Sequence, residues 1–285
     1  MKIVRIIIVS AILFSLFGQC TERIDVKVDS TYTRLVVEGY VSTDTMSHFV
    51  KLTTTRDYFY NNPSPGVPNA IVRIDDGETI TELKESADQP GKYLTDPDFY
   101  GEPGKTYTLM ISNVDVDGDG ILEEYIASSI LNPVNEIDSI ALEHIGSNHF
   151  SVYQVLVYAW DSPEKDYYAF KVHKNNKLMT DTLYELIVQD DEFFNGNYTY
   201  GIPSQFLDQY KEEEVIHNGD TITFEINGIT EEYYNYVTEA LSEIYTQTPL
   251  FSGPPANIST NVSNGAVGFF VAYSVNRCST IAEIE

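Results

Sequence analysis

The sequence predicts a mainly β protein made of two antiparallel β-sandwich-like domains, the second of which carries one amphipathic helix. Short segments alternate apolar and polar residues with the period of a strand. Leu35, Val37 and Val41 would share one face of such a strand. Glu38 and Tyr40 would then lie on the opposite face. Clusters of Gly, Pro, Asn and Asp separate these segments as turns, and only one stretch has helical spacing.

The N-terminus predicts a secreted, lipid-anchored chain. Lys2 and Arg5 precede an apolar run over residues 6–17, which is too short to span a bilayer. Cys20 follows in a lipobox-like context, so residues 1–19 are predicted to be a signal peptide and Cys20 to carry acyl chains such as palmitate. An ordinary cleaved signal peptide is the alternative. The short polar segment 20–30 is predicted to tether the lipid to the first fold.

The first predicted domain, residues 31–130, consists of closely spaced strands with turn clusters between them, such as 61–66. Many short strands without a helical period favour an antiparallel sandwich of immunoglobulin-like size. Its predicted strands cover residues 34–41, 49–54, 70–75, 79–84, 106–113 and 122–128.

The second predicted domain, residues 135–285, begins after a Pro-containing linker at 131–134. Thr230 is a suitable N-cap for a helix over 231–245, and apolar residues recur along that stretch at helical spacing. The helix is expected to cover a sheet edge or core. The predicted strands of this domain cover residues 137–143, 153–160, 167–173, 183–189, 221–229 and 267–275.

Acidic residues dominate the charge, with 43 Asp and Glu against 17 Lys and Arg and a net charge of −26. Nucleic acid and anionic lipid surfaces are therefore poor partners, because phosphate binding requires clustered cations. The chain has 2 cysteines. If Cys20 is acylated, Cys278 has no partner for an intramolecular disulfide.

One acidic turn predicts a calcium site. Asp115, Asp117 and Asp119 occupy the first alternate positions of an EF-hand-like loop, where carboxylate oxygens bind calcium. The closing Glu of that motif is replaced by Ile126, so Glu123 is the candidate closing ligand in a different geometry. A solvated hairpin turn joining the flanking strands is the alternative interpretation.

Two aromatic loops are the candidate binding surfaces. Large rings among turn residues suit protein interfaces or stacking on sugars and peptides. The alternative is that these rings close the ends of the sandwiches. The rings concerned are Tyr58, Phe59, Tyr60, Phe193, Phe194, Tyr198 and Tyr200.

No sequence motif places a nucleophile, a base and an orienting group together. Nucleophile-elbow, phosphate-loop and dinucleotide-binding motifs are missing from the sequence. The prediction is a protein without enzymatic activity. A calcium-dependent or hydrolytic enzyme is the less favoured alternative, since any chain this acidic contains carboxylate pairs.

Several segments together resemble the Bacteroidota lipoprotein family catalogued as domain of unknown function 4249. They are 34–41, a Pro-rich loop before 69–72, 190–196, and 257–262 leading to 268–270. Each segment is weak alone, but their order and spacing are specific.

The resemblance implies a cell-surface lipoprotein of a family without established catalytic activity. Genes of this family commonly lie beside TonB-dependent outer-membrane transporters that carry a carboxypeptidase-regulatory-like segment, and the first sandwich is similar to that segment. Glu22 and Asp25 after Cys20 are compatible with export to the outer face. The expected protein is lipid-anchored in the outer membrane, faces the exterior and helps a TonB-dependent transporter to capture its ligand. The alternative is an adhesion or matrix-binding module.

Overall fold

The computed structural model describes residues 33–56, 63–147, 149–245 and 258–284. These residues form sixteen strands, one α-helix and one short 3₁₀ helix at Leu183–Glu185. The mainly β fold and the single amphipathic helix, α1 (Glu231–Tyr245), are confirmed for this part of the chain. The strands are β1 (Leu35–Ser42), β2 (Phe49–Thr54), β3 (Ile71–Asp75), β4 (Ile80–Glu82), β5 (Lys84–Glu85), β6 (Lys92–Leu94), β7 (Thr106–Val114), β8 (Glu123–Ile130), β9 (Ile137–Ser147), β10 (Phe150–Ala159), β11 (Tyr167–Lys174), β12 (Lys177–Leu178), β13 (Ile187–Asp190), β14 (Ile202–Asp208), β15 (Thr221–Ile229) and β16 (Val267–Ile281).

The strands form three sheets. A nine-stranded sheet has the order β12-β11-β15-β16-β1-β2-β6-β5, with β13 beside β11. The other two sheets have the orders β4-β3-β7-β8 and β14-β10-β9. Most neighbours are antiparallel, but β1 and β16 are parallel, with Tyr40 beside Val271. The large sheet therefore combines strands from both predicted domains.

Two hydrophobic cores lie on one face of the large sheet. Phe270 and Ala272 of β16 enter the first core, which the four-stranded sheet covers, and Cys278 packs against the second, which the three-stranded sheet covers. Each core is thus enclosed between two sheets, as in a sandwich. The predicted linker at 131–134 falls between the cores. The large sheet nevertheless continues across this point, and the chain from Thr33 onward is one compact unit.

The predicted strand at 183–189 is wrong in its first half, which is the short 3₁₀ helix. Local hydrogen bonds explain the 3₁₀ helix. The backbone N–H and the hydroxyl of Thr182 both donate to the carboxylate of Glu185, at 3.1 and 2.5 Å. This arrangement stabilises a helical turn. Strands β5, β6, β12 and β14 were not predicted from the sequence. Pro203 lies in β14, which is tolerated because β14 is an edge strand.

The α-helix covers the face of the large sheet opposite the two cores. Thr230 caps it, with Oγ1 accepting the N–H of Tyr233 at 3.2 Å, as the sequence predicts. Val237 and Ala240 are the buried residues of α1. Within the described residues, no helix has the length and apolarity needed to cross a membrane.

Candidate ligand-binding site

Two groups of predicted site residues lie outside the described part of the chain. They are the acylation site Cys20 and the rings Tyr58, Phe59 and Tyr60. Both remain predictions from the sequence.

The acidic turn between β7 and β8 brings three of its four predicted ligands together. Carboxylate oxygens of Asp115, Asp117 and Asp119 lie within 4.8 Å of one another, and all three residues are exposed. Glu123 does not join them. Its Oε2 accepts hydrogen bonds from the Val116 N–H and the Tyr125 hydroxyl, each at 3.2 Å, at the base of the turn.

The same carboxylates organise the turn itself. Asp115 accepts the N–H groups of Gly118 and Gly120 at 2.8 and 3.0 Å, and Asp119 accepts the N–H of Ile121 at 2.7 Å. Such side-chain bonds to the local backbone stabilise Asp-rich turns. These hydrogen bonds are compatible both with a calcium site and with a solvated hairpin turn. Calcium binding at this turn therefore stays a prediction.

The second aromatic loop divides its two adjacent phenylalanines between solvent and core. Phe193 is 86% exposed, whereas Phe194 is only 8% exposed. The Phe194 ring stacks on Tyr168 at a centroid distance of 6.3 Å and belongs to the second core. The prediction of Phe194 as a binding residue is therefore wrong, because its ring serves packing.

Three other rings form a group at the surface, which we call the ring cluster: Trp160 and Tyr200, which are exposed, and Tyr198 between them, which is partly buried. Trp160 and Tyr198 contact each other at a centroid distance of 5.3 Å, and Tyr198 and Tyr200 at 5.0 Å. Trp160 is 62% exposed and Tyr200 is 80% exposed. Trp160 was predicted to be the last residue of a strand and was not among the predicted site residues. Its position before the Asp-Ser-Pro turn at 161–163 is the signal that marks it as a loop ring.

Backbone pairing holds the ring cluster together. The chain after β10 runs antiparallel to the loop 197–199, with a bridge between Trp160 and Tyr198. The Asp161 N–H donates to the carbonyl of Asn197 at 3.0 Å. These bonds place the two rings side by side although they are far apart in the sequence.

Tyr200 adopts a backbone conformation that is unfavourable for a bulky residue. Its φ is +51°, and Gly201 follows with a φ of +87°. A Cβ at Gly201 would lie 2.7 Å from the Tyr158 hydroxyl, so only glycine fits there. Positive φ at a non-glycine residue costs about 1–3 kcal/mol and is enriched at binding sites.

A group of carboxylates lies beneath the ring cluster. Carboxylate oxygens of Asp161, Asp166 and Asp191 lie within 4.8 Å of one another, and Asp191 is buried. Burial raises the pKa of Asp161 and of Asp166, and repulsion from Asp191 adds to the effect. Three hard oxygen ligands at this spacing are suited to a divalent cation.

The three carboxylates of Asp161, Asp166 and Asp191 already accept hydrogen bonds from donors of the protein. The Tyr168 hydroxyl donates to Asp161 at 2.6 Å, and the Ser162 hydroxyl donates to Asp166 at 2.8 Å. The Asp166 N–H donates to Asp191 at 2.9 Å. The group therefore stabilises the loop that presents the rings.

The space under the ring cluster is too small for an organic ligand. The cavity lined by Trp160, Asp161 and Tyr168 has a volume of about 40 Å³, which accommodates a few water molecules. A ligand of the ring cluster would therefore lie on the exposed ring faces. Flat exposed faces with polar edges can stack on another ring or on the apolar face of a sugar.

A family model described as "Domain of unknown function (DUF4249)" matches residues 21–279 of the chain. A search of curated proteins found no match. Among solved structures, one protein from Bacteroides uniformis, provisionally described as carbohydrate-binding, is 13% identical with a TM-score of 0.19. The comparison covers 68% of this chain and 88% of that one. A similarity at this level supports no conclusion about fold or ligand.

Proposed function

The chain belongs to the family described as domain of unknown function 4249, and on this basis we propose that it is a non-enzymatic ligand-binding lipoprotein of the outer-membrane surface. In this proposal it assists a TonB-dependent transporter by capturing or admitting the transporter's ligand. The lipid anchor at Cys20 and the outward orientation are parts of the proposal, and they rest on the leader sequence and the family resemblance.

The observation that carries the proposal is the ring cluster. Single exposed apolar residues are ordinary, but mutually contacting rings on the surface are typical of interaction sites. Trp160 and Tyr200 both keep more than half of their surface exposed. The strained backbone of Tyr200 supports the same interpretation, because folding alone would favour a relaxed conformation there.

Site-specific photocrosslinking tests the partner. A photoreactive phenylalanine analogue replaces Tyr200 in the full-length lipoprotein, in cells that also produce the transporter. The matched control carries the analogue at Tyr210, which is 66% exposed and outside the ring cluster. We expect a crosslink to the transporter from position 200 and none from position 210.

Equal crosslinking from both positions, or none from position 200, would remove the transporter from the proposal. The favoured alternative would then be an adhesion or matrix-binding module. In that case, cells with Tyr198→Ala/Tyr200→Ala should lose adhesion to a defined matrix surface, while Tyr210→Ala cells retain it.

The lipid anchor has a separate test. Cells grown with an alkyne analogue of palmitate should label the wild-type protein and leave Cys20→Ala unlabelled. Labelling that survives Cys20→Ala would place the acyl chain elsewhere. Proteolysis of intact cells then reports the orientation, since an outward-facing protein is cleaved and an inward-facing one is protected.

A further inference from the structure

A large cavity lies on the face of the nine-stranded sheet that is opposite the two cores. We call it the sheet cavity. Its volume is about 610 Å³, and α1, the segment 178–186 and strands β1, β2, β11, β15 and β16 line it. Small-molecule sites are typically concave spaces of about 300–1,000 Å³. The sheet cavity is within this range.

Aromatic rings line the sheet cavity in two groups. In the first, Tyr40 stacks on Tyr273 at 5.7 Å with 21° between the ring planes, and Phe49 contacts Tyr40 edge-on. In the second, Tyr233 and Tyr236 of α1 each contact Phe269, at 5.3 and 5.1 Å. Phe269 and Tyr273 lie on the same face of β16, because strand side chains alternate. The rings therefore offer flat faces at separate places along one cavity.

The charged groups beside the sheet cavity compensate one another. Lys171, Glu225 and Arg277 are direct cross-strand neighbours on β11, β15 and β16. Lys171 Nζ donates to Glu225 at 3.2 Å, and Arg277 Nε donates to Glu225 at 2.7 Å. Arg277 also makes two hydrogen bonds to Asp44, at 2.8 and 2.6 Å. The row thus contains two cations and two anions, all of which have partners.

This compensation determines the charge of a suitable ligand. Among the described residues, the charged groups of the lining are one cation, Lys171, and two carboxylates, Glu38 and Asp181. Lys171 is largely buried, paired with Glu225 and placed 5.0 Å from the centre of the Tyr273 ring. Glu38 and Asp181, in contrast, are exposed to solvent. An anionic ligand would have to compete with Glu225 for Lys171. A cationic ligand would be repelled by Lys171, and the attraction of Glu38 and Asp181 for it is weak because both carboxylates are hydrated at the surface. A charge buried without a partner is costly, so an uncharged ligand is favoured.

Polar groups complete the lining. Thr180, Thr182 and Asn227 contribute hydroxyl and carboxamide groups to the same cavity. Asn227 and Thr180 are almost fully buried, and each has a partner in the protein: the Asn227 amide donates to Glu225 at 3.0 Å, and the Thr180 hydroxyl oxygen accepts the Val172 N–H at 3.3 Å. A carboxamide and a hydroxyl can each form more than one hydrogen bond, so these groups keep capacity for a ligand, and a ligand with hydroxyl groups uses it better than a hydrocarbon.

We propose that the sheet cavity binds an uncharged small molecule that has a flat ring face and several hydroxyl groups. The rings stack on that face, and the threonine hydroxyls and the Asn227 carboxamide bond its polar edge. This site shares no lining residue with the ring cluster. It is independent of the proposed transporter partnership.

Calorimetric titration with three related probes tests the charge and shape of the ligand. The probes are 4-nitrophenyl β-D-glucopyranoside, which is neutral, 4-nitrophenyl phosphate, which is anionic, and 4-nitrobenzylamine, which is cationic. We expect saturable 1:1 binding of the neutral glucoside and weaker binding of both charged probes. Trp160 lies outside the cavity lining, so Trp160→Phe should bind the glucoside as the wild type does.

Variants on α1 locate the bound probe. Tyr236→Ala should weaken glucoside binding about tenfold, because it removes a stacking ring, whereas Tyr236→Phe should bind nearly as wild type. Tyr245→Ala is the matched control, since Tyr245 is on the same helix but outside the cavity lining. Thermal unfolding of each variant confirms that it is folded.

Three outcomes would overturn the proposal. They are a failure of the neutral glucoside to bind, tighter binding of a charged probe, and unchanged glucoside binding by folded Tyr236→Ala. Loss of glucoside binding by folded Trp160→Phe would instead place the probe at the ring cluster, and that result would also overturn the cavity assignment.

Discussion

Glu225 and Arg277 lie directly opposite each other on β15 and β16, and Arg277 Nε donates to Glu225 Oε2 at 2.7 Å. The Glu225 side chain is only 4% exposed. Removal of the guanidinium would leave a buried carboxylate with fewer partners. We expect Arg277→Ala to lower the free energy of unfolding by about 3 kcal/mol, as measured by urea denaturation.

A surface ion pair provides the matched control for this prediction. Arg73 and Glu82 are 2.8 Å apart, but their side chains are 44% and 61% exposed. Arg73→Ala should therefore change the free energy of unfolding by less than about 1 kcal/mol. Similar losses in the two variants would mean that the burial of Glu225 has no energetic consequence.

The same row of charges predicts that stability falls in acid. Burial raises the pKa of the Glu225 carboxyl, but Lys171, Asn227 and Arg277 more than offset this effect and hold its pKa below the usual value. The Arg277 hydrogen bonds likewise lower the pKa of Asp44. In the folded state these groups bind fewer protons than in the unfolded chain. Their stabilisation is therefore present above the ordinary carboxyl pKa of about 4 and is lost as pH falls below it.

Urea denaturation at a series of pH values from about 7 to about 3 measures this dependence. Glu225→Gln should show a smaller loss of stability in acid than the wild type. The comparison of Glu225→Gln with the wild type is needed because burial raises the pKa values of Asp161 and Asp166. These two groups therefore make the folded state more stable, not less, as pH falls to about 4. An identical slope in both proteins would exclude Glu225 as a source of the acid sensitivity.

Phe193 and Phe194 should respond oppositely to the same substitution. Phe194→Ala opens a cavity in the second core and should cost about 3 kcal/mol or more of unfolding free energy. Phe193→Ala removes an exposed ring and should change stability by no more than about 0.5 kcal/mol. Urea denaturation of the two variants measures both values. Equal effects would contradict the placement of the two rings.

Calcium at the acidic turn has a direct thermodynamic test. Binding to Asp115, Asp117 and Asp119 with a Kd of about 0.1 mM would add about 1.4 kcal/mol of stability at about 1 mM calcium. The wild-type Tm should then rise with calcium relative to chelator, and Asp117→Asn/Asp119→Asn should not respond. A wild-type Tm that is the same with calcium and with chelator would leave a hairpin turn whose carboxylates bind only the backbone.

The local pattern of apolar and polar residues was sufficient to predict most strands and the helix. The predicted bounds of β2, β15 and α1 coincide with the observed ones, because alternation and helical spacing depend only on neighbouring residues. The strands that were not predicted lack this pattern. β5 and β12 have 2 residues each, too few to show a period, and β14 contains a proline that argues against a strand.

The candidate site was predicted only in part, because exposure depends on distant packing. Tyr198 and Tyr200 were identified from their turn-rich surroundings, and they belong to the ring cluster. Phe194 was assigned to the surface on the same grounds, yet it stacks on Tyr168 in the second core. Trp160 was missed because its contact with Tyr198 exists only after the chain beyond β10 pairs with the loop.

By itself, the amino-acid sequence determined the mainly β class, the helix, the acidic turn and the family. Only the tertiary structure decided that β1 pairs in parallel with β16, which joins both cores on one sheet. Alternation shows which side chains share a face of a strand but not which strand lies beside it. The row of Lys171, Glu225 and Arg277 depends on the pairing of β11, β15 and β16, and the cavity above it depends also on the position of β1 beside β16. Neither the row of charges nor the cavity could therefore be predicted from the sequence.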